Sequence, residues 1–226
     1  MNFTRRQRSA RGSGAELRAE ILDATKKLLA DAGHVDGVSI REIAKIVGVT
    51  PPSIYRHFAD KDQLIESVVA QVFEDLDAEM LAVSDPNDSP MERLRQQGLA
   101  YVRFAREHPE QYRLAMTPGE TAGAVDQVLT SSAFAHLAAT VTECMNLGVV
   151  TPGDPVPVVL ELWSTAHGVA SLLIAKPYLP WGDVEAFADR ILRSICVGRV
   201  VIDNVLGEDV SPDAVAEWAV ANRRVP

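Results

Sequence analysis

The side chains best suited to chemistry lie between Ser39 and Lys61, in the segment SIREIAKIVGVTPPSIYRHFADK. Thr50, Ser53 and Tyr55 bring hydroxyls, Arg41, Arg56 and Lys61 bring cations, His57 an imidazole and Pro51 a small apolar surface. Groups of this kind hydrogen-bond the edges of bases and the oxygens of phosphates. No comparable set supports catalysis. None of the five histidines has a glutamate three residues before it, and HExxH, CxxC, GxxxxGK and GxSxG are absent. Cys144 has no base near it in sequence and falls in a helical stretch, which describes an inert thiol. An all-α enzyme is therefore the weaker rival.

To present such groups, two short helices must cross closely, which requires a small residue at their contact and a turn residue tolerant of positive φ. Ala44 and Gly48 meet these needs, while Ile43, Val47, Val49 and Ile54 supply buried faces. Ser39 with Glu42 reads as a capping box for the first helix. Thr50 is positioned to cap the second with Pro51 at its first position, and Ile54 and Phe58 face inward. Before them, Leu17, Ile21, Ala24 and Leu28 recur at helical spacing up to Gly33. After them, Asp60 with Gln63 opens a long helix through Leu64, Val68, Val72 and Leu76.

The same punctuation continues downstream. Ser89, Pro90 and Glu92 begin a helix through Leu94, Tyr101, Val102 and Ala105, and a short one follows through Tyr112 to Met116. Further helices are expected from about Ala122 to Asn146, Val158 to Lys176 and Val184 to Leu206, with a last one beginning at Ser211 and Pro212. No alternating strand pattern occurs, so the class is all-α. The domain reading is a basic tail over 1–14, a helix-turn-helix head over 15–62 whose exposed groups suit DNA, and a helical body over 63–226.

The chain has 226 residues, is 47% hydrophobic, holds two cysteines and carries a net charge of -9. That apolar share excludes intrinsic disorder, and two cysteines exclude a disulfide framework, which fits a reducing cytosol. No secretory signal is recognisable, and no uninterrupted apolar run approaches the roughly 18 residues of a membrane helix, so the expected place is the cytoplasm with no membrane partner. The charge is uneven. Residues 1–61 hold 11 Lys+Arg against 7 Asp+Glu, a balance of +4, which leaves -13 on the remainder. A polyanion would attract only the first part.

The AxxxG of Ala44 to Gly48, the IYRHF of Ile54 to Phe58 and the DKDQL of Asp60 to Leu64 resemble the DNA-binding region of the TetR family of bacterial transcriptional regulators, over roughly residues 15–65. Pro52 departs from it, standing where many relatives place glycine or alanine. The resemblance implies nine or ten helices, a helical-bundle regulatory body, and a homodimer on a palindromic double-stranded DNA operator. Trp163, His167 and Gly168 in LWSTAHG are similar to the Trp-His-Gly signature of one effector-binding domain type in that family. No cofactor or metal is implied. Control by a protein partner without a small-molecule effector is the other regulator reading.

Arg41, Thr50, Pro51, Ser53, Tyr55, Arg56, His57 and Lys61 are the candidate DNA contacts. Arg41 also suits a surface ion pair, and the tail arginines suit a solvated end as well as a minor groove. Lys61 sits in a helix's first turn, where the macrodipole disfavours a cation that a phosphate would offset. For a small, mostly apolar effector the candidates are Tyr101, Phe104, Tyr112, Met116, Phe134, Trp163 and His167, with Cys144 and Met145 as further lining; packed core would use the same residues. Apolar faces including Val169, Leu172, Ile191, Ile195, Ile202 and Val205 suit either a core or a four-helix dimer seam.

Overall fold

A computed structural model describes residues 13–32, 35–116, 131–207 and 209–223. Among these residues every regular element is helical: α1 (Ser13–Ala32), a 3-10 turn (Val35–Gly37), α2 (Ile40–Val47), α3 (Pro51–Ile54), α4 (Lys61–Ala82), α5 (Pro90–Glu107), α6 (Pro109–Met116), α7 (Ser132–Asn146), α8 (Pro155–Ala175), α9 (Val184–Val201) and α10 (Pro212–Ala221). The tail arginines, the expected stop at Gly33 and the expected helix start near Ala122 lie outside the described residues.

Local chemistry accounts for most of the starts. The Ser39 side chain accepts from Glu42 N, Asp60 Oδ1 from Gln63 N at 2.8 Å, Ser89 Oγ from Glu92 N and Ser211 Oγ from Ala214 N. Gln63 Oε1 in turn accepts from Ala59 N at 2.6 Å, one residue earlier than a capping box would have it. Thr50 is the exception. It precedes α3 in extended conformation but caps no backbone group, because its hydroxyl pairs with Ser53 Oγ at 3.0 Å. The expected helix to Leu206 also changes character: after Val201 a wide turn over Ile202–Leu206 ends with Gly207 N donating to Ile202 O.

The contacts divide the chain into two compact units, rather than at one boundary after residue 62. One runs to Asp77 and takes in Glu107–Ser132; the other holds Ala78–Arg106 and the chain from Ala133. In the first unit Ile21, Leu22, Leu29, Ile43, Ala44, Ile54, Phe58, Leu64 and Val68 form one buried cluster, with Leu114 of α6 packed against it. Arg18 lies over the Phe58 ring at 4.9 Å, and Lys26 pairs with Asp75 at 2.7 Å, so part of the basic charge is used internally. In the second unit Leu94, Leu137, Val141, Cys144, Val158 and Val159 form a core, and α8 packs on α9.

Among the described residues one helix, Pro155–Ala175, is long and apolar enough to cross a membrane by length and composition, and 33% of its 18-residue apolar window is buried. The expectation of no such stretch counted uninterrupted runs, and Glu161, Ser164, Thr165 and His167 interrupt this one. Two of them tie it to its neighbours: Glu161 lies 3.6 Å from Arg199, and His167 is bonded to Tyr101.

Candidate nucleic-acid interface and interior cavity

Packing decides which side of the Thr50–Phe58 segment meets solvent. Ala44 is 2% exposed at the crossing of α2 and α3, and a larger side chain there would push the two helices apart. Gly48 follows in the left-handed region at φ 74, and both its N–H and that of Val49 reach the Ala44 carbonyl. The regular part of α3 is only Pro51–Ile54, but bonds from Tyr55 N to Pro51 O, His57 N to Ile54 O and Phe58 N to Ile54 O carry the coil on. Ile54 and Phe58 are buried at 0% and 2%. Their burial turns the intervening residues outward.

On that outward side Thr50, Tyr55 and Arg56 are exposed, and Pro51, Ser53 and His57 are half-buried. An Arg56 guanidinium N–H donates to Ser53 Oγ at 3.3 Å, and Ser53 Oγ pairs with Thr50 Oγ1, which makes one polar strip along the coil. Bonds of this exposed kind exchange readily for phosphate or base partners. Arg41 and Lys45 are exposed on α2. Lys61 differs from the expectation. Its Nζ donates to the Val35 carbonyl at 2.8 Å, so the cation that the macrodipole disfavours is held by the 3-10 turn.

The second unit contains a cavity of about 30 Å³ whose wall includes Leu94, Gln97 and Tyr101 of α5, Leu137 of α7, Trp163 of α8 and Cys196 of α9. Trp163 can only donate, and its Nε1–H donates to the Tyr101 oxygen at 3.2 Å; the Tyr101 hydroxyl is also hydrogen-bonded to His167 Nδ1 at 3.2 Å. Ser171 Oγ lies 3.3 Å from His167 Nε2. Burial penalises the imidazolium and pushes the His167 pKa below its ordinary 6.5, so the ring is neutral at pH 7.

Of the seven effector candidates, the structure brings three together: Tyr101 and Trp163 in the cavity wall, with His167 bonded behind them. Phe104 is buried elsewhere on α5, and Phe134 packs against the core around Leu94 and Leu137. Tyr112 and Met116 ride on α6 in the first unit, which packs on α1, because the chain returns to that unit at Glu107. Cys144 is fully buried against the Met91 sulfur. Sequence reasoning missed Gln97, Gly98 and Leu192, which carry no aromatic or sulfur signal; a buried glutamine facing apolar helices is visible only once α5 is packed.

A helix-turn-helix whose residues 1–61 carry a balance of +4, joined in one chain to a second helical unit that contains a cavity, is the build of a DNA-binding transcriptional regulator. Residues 21–68 match the family described as bacterial regulatory proteins, tetR family, and residues 94–195 match the tetracyclin repressor-like, C-terminal domain. The chain belongs to the TetR family, which is a family of regulators and not of enzymes. The HTH-type transcriptional repressor KstR2 of Mycolicibacterium smegmatis is 33% identical over 95 residues, 42% of this chain and 45% of that one. The nucleoid occlusion factor SlmA of Vibrio campbellii is 27% identical over 92 residues, 41% and 47% of the two chains. The chain thus spans about half the length of the curated relatives it matches. A solved structure of a Rhodococcus sp. RHA1 protein of unknown function is 26% identical with a TM-score of 0.69, and the match covers 86% of this chain and all of that one.

Proposed function

We propose that the protein is a ligand-responsive repressor that binds a palindromic operator as a homodimer in the cytoplasm and leaves it when a small, mostly apolar effector enters the second unit. The observation that carries the DNA side is the outward strip of Thr50, Ser53, Tyr55 and Arg56 over a buried Ile54 and Phe58. Arg41, Pro51 and His57 flank it as contacts, and Lys61 keeps two N–H groups beyond its bond to Val35. For the dimer, the support is apolar surface on α8, α9 and the turn after it: Leu172, Val197 and Val205 are 53%, 54% and 55% exposed, and Ile191 37%. Val169, by contrast, is core. Two copies pairing these faces would bury them as a four-helix seam and set two reading coils about 34 to 36 Å apart along DNA.

Helix α4 runs unbroken across the division at Asp77 and Ala78, so it links effector to operator within one element. An effector that favours a wrongly spaced pair of heads lowers DNA affinity, and linkage requires operator DNA to lower effector affinity by the same factor. Selection of a preferred sequence from random duplexes, followed by effector titration with and without that duplex, tests the reading. Recovery of no preferred sequence at modest salt overturns it; equal effector affinity in both titrations removes the linkage. A cavity of about 30 Å³, room for a water or two, favours one alternative: control by a protein partner with no small effector. A thermal screen against apolar metabolites separates the two, because a ligand of the folded form raises the melting temperature.

A further inference from the structure

Resting on the reading of the second unit as an effector domain, we propose that the cleft between α5 and α9 holds the carboxylate head of an amphipathic organic acid, selected by Arg193 and Arg95, with its apolar tail reaching Cys196. The cleft has a volume of about 360 Å³, against about 30 Å³ for the cavity beside Trp163. Of the two, only the cleft falls in the range of roughly 300 to 1,000 Å³ that small-molecule sites occupy. Its wall includes Met91, Glu92 and Arg95 of α5 and Arg193, Cys196 and Val197 of α9. Met91 and Val197, the latter 54% exposed, give it apolar surface beside the charges.

The two guanidiniums meet at one carboxylate, Arg95 Nη1 donating to Asp189 Oδ1 and Arg193 Nη2 to Asp189 Oδ2. Arg95 also grips Glu92, with Nε at 2.9 Å and Nη2 at 2.6 Å. Both oxygens of both acids therefore already accept. A guanidinium has five N–H groups, and these bonds use three of Arg95's and one of Arg193's. What the cluster still offers a ligand is mainly donors, which suits a carboxylate, bound by short charge-assisted bonds, and not an ammonium, which needs acceptors. Arg193 is the adaptable member: its side chain is 61% exposed, and an ion pair of that kind contributes little, so it turns to a ligand at small cost. Arg95, at 27%, is held more firmly. Cys196 belongs to the wall of the cleft and to that of the Trp163 cavity. Arg193 and Cys196 lie one helical turn apart, about 5 Å along α9, so a short aliphatic chain spans from the head to the shared wall. Val197 is also part of the apolar face offered to a second copy, which sets a bound acid at the margin of the dimer seam.

The test is calorimetric titration of the full-length protein with hexanoate, hexanol, hexylammonium and acetate. Hexanoate is expected to bind about tenfold more tightly than hexanol. Hexylammonium, for want of acceptors, and acetate, for want of an apolar body, should not bind at millimolar concentration. Arg193→Gln alters an exposed side chain and leaves Asp189 paired with Arg95, so its thermal melt should be unchanged; it should bring hexanoate to within about twofold of hexanol while hexanol binds as before. Cys196→Ala thins the shared wall, and octanoate should then gain about threefold on hexanoate. Hexanoate no better than hexanol, an Arg193→Gln protein that keeps the full preference, hexylammonium or acetate binding as tightly as hexanoate, or no binding of hexanoate at millimolar concentration would each overturn the proposal. An unchanged ratio of octanoate to hexanoate in Cys196→Ala would overturn the placing of the tail. A gel shift with the selected duplex on the same preparation keeps the conclusions apart, because retained DNA binding leaves the regulator reading standing when the ligand selectivity fails.

Discussion

Three titratable side chains of the second unit, the half-buried His167 and the buried Cys144 and Cys196, are governed by burial more than by neighbouring charge. The folded protein holds His167 below its ordinary 6.5, so the unfolded chain takes up a proton that the native state resists. Stability is then fully present above pH 6.5 and falls as the pH drops below it. Urea midpoints at pH 7.5 and 5.5 should differ, and His167→Gln should flatten the difference; an equally steep fall in the variant would assign the effect elsewhere. Burial pushes both Cys144 and Cys196 up to about 11. Since the thiolate is the reactive form, a disulfide reagent at pH 7 should label neither residue until denaturant is added, and rapid native labelling would contradict the packing. The His167 site was half-legible in sequence. Trp163, His167, Ala170 and Leu173 share a helical face by spacing alone, but Tyr101 belongs to another helix and only packing pairs it with them.

Helix ends carry the next scale of prediction. At Gly48 nothing lies within 4 Å of where a Cβ would be, so Gly48→Ala costs backbone strain at φ 74 without a clash, about 1 kcal/mol, with Gly48→Asn costing less. Removing the Ser39 cap by Ser39→Ala should cost about 1 kcal/mol as well. Thermal melts compare the three directly, and an asparagine variant less stable than the alanine one would mean that the left-handed turn is not the cause. Lys61→Ala separates two roles. Loss of its bond to Val35 predicts destabilisation of about 1 kcal/mol, whereas a phosphate contact predicts a salt slope lower by about one unit per half-site. Capping was readable because it acts over three residues; Thr50 was misread because a second hydroxyl, Ser53, competes for it one turn away.

For the molecule as a whole, the charge division and the exposed apolar faces make the predictions. Residues 62–226 carry -13, so raising salt should weaken DNA binding through the head while sparing the fold. Leu172→Glu puts a charge on a face that two copies would share. Sedimentation should show a shift toward monomer and operator affinity should fall at least tenfold, since one head on a half-site loses the second set of contacts. A Leu172→Glu protein that sediments unchanged would place the seam elsewhere. The sequence reading of one boundary after residue 62 missed the return of α6 to the first unit, because α6 packs on α1 from far along the chain, with Leu114 set against the cluster that holds Ile21.

By itself the order of residues determined most helix starts, the all-α class and the place of the helix-turn-helix. These depend on caps, turns and periodicities that act within a few positions of one another. Only tertiary structure decided which residues surround a cavity, that Lys61 is tied to Val35, and that Tyr101 meets Trp163 and His167. Each of those outcomes depends on contacts between elements far apart in the sequence, which no local pattern of caps or periodicity encodes.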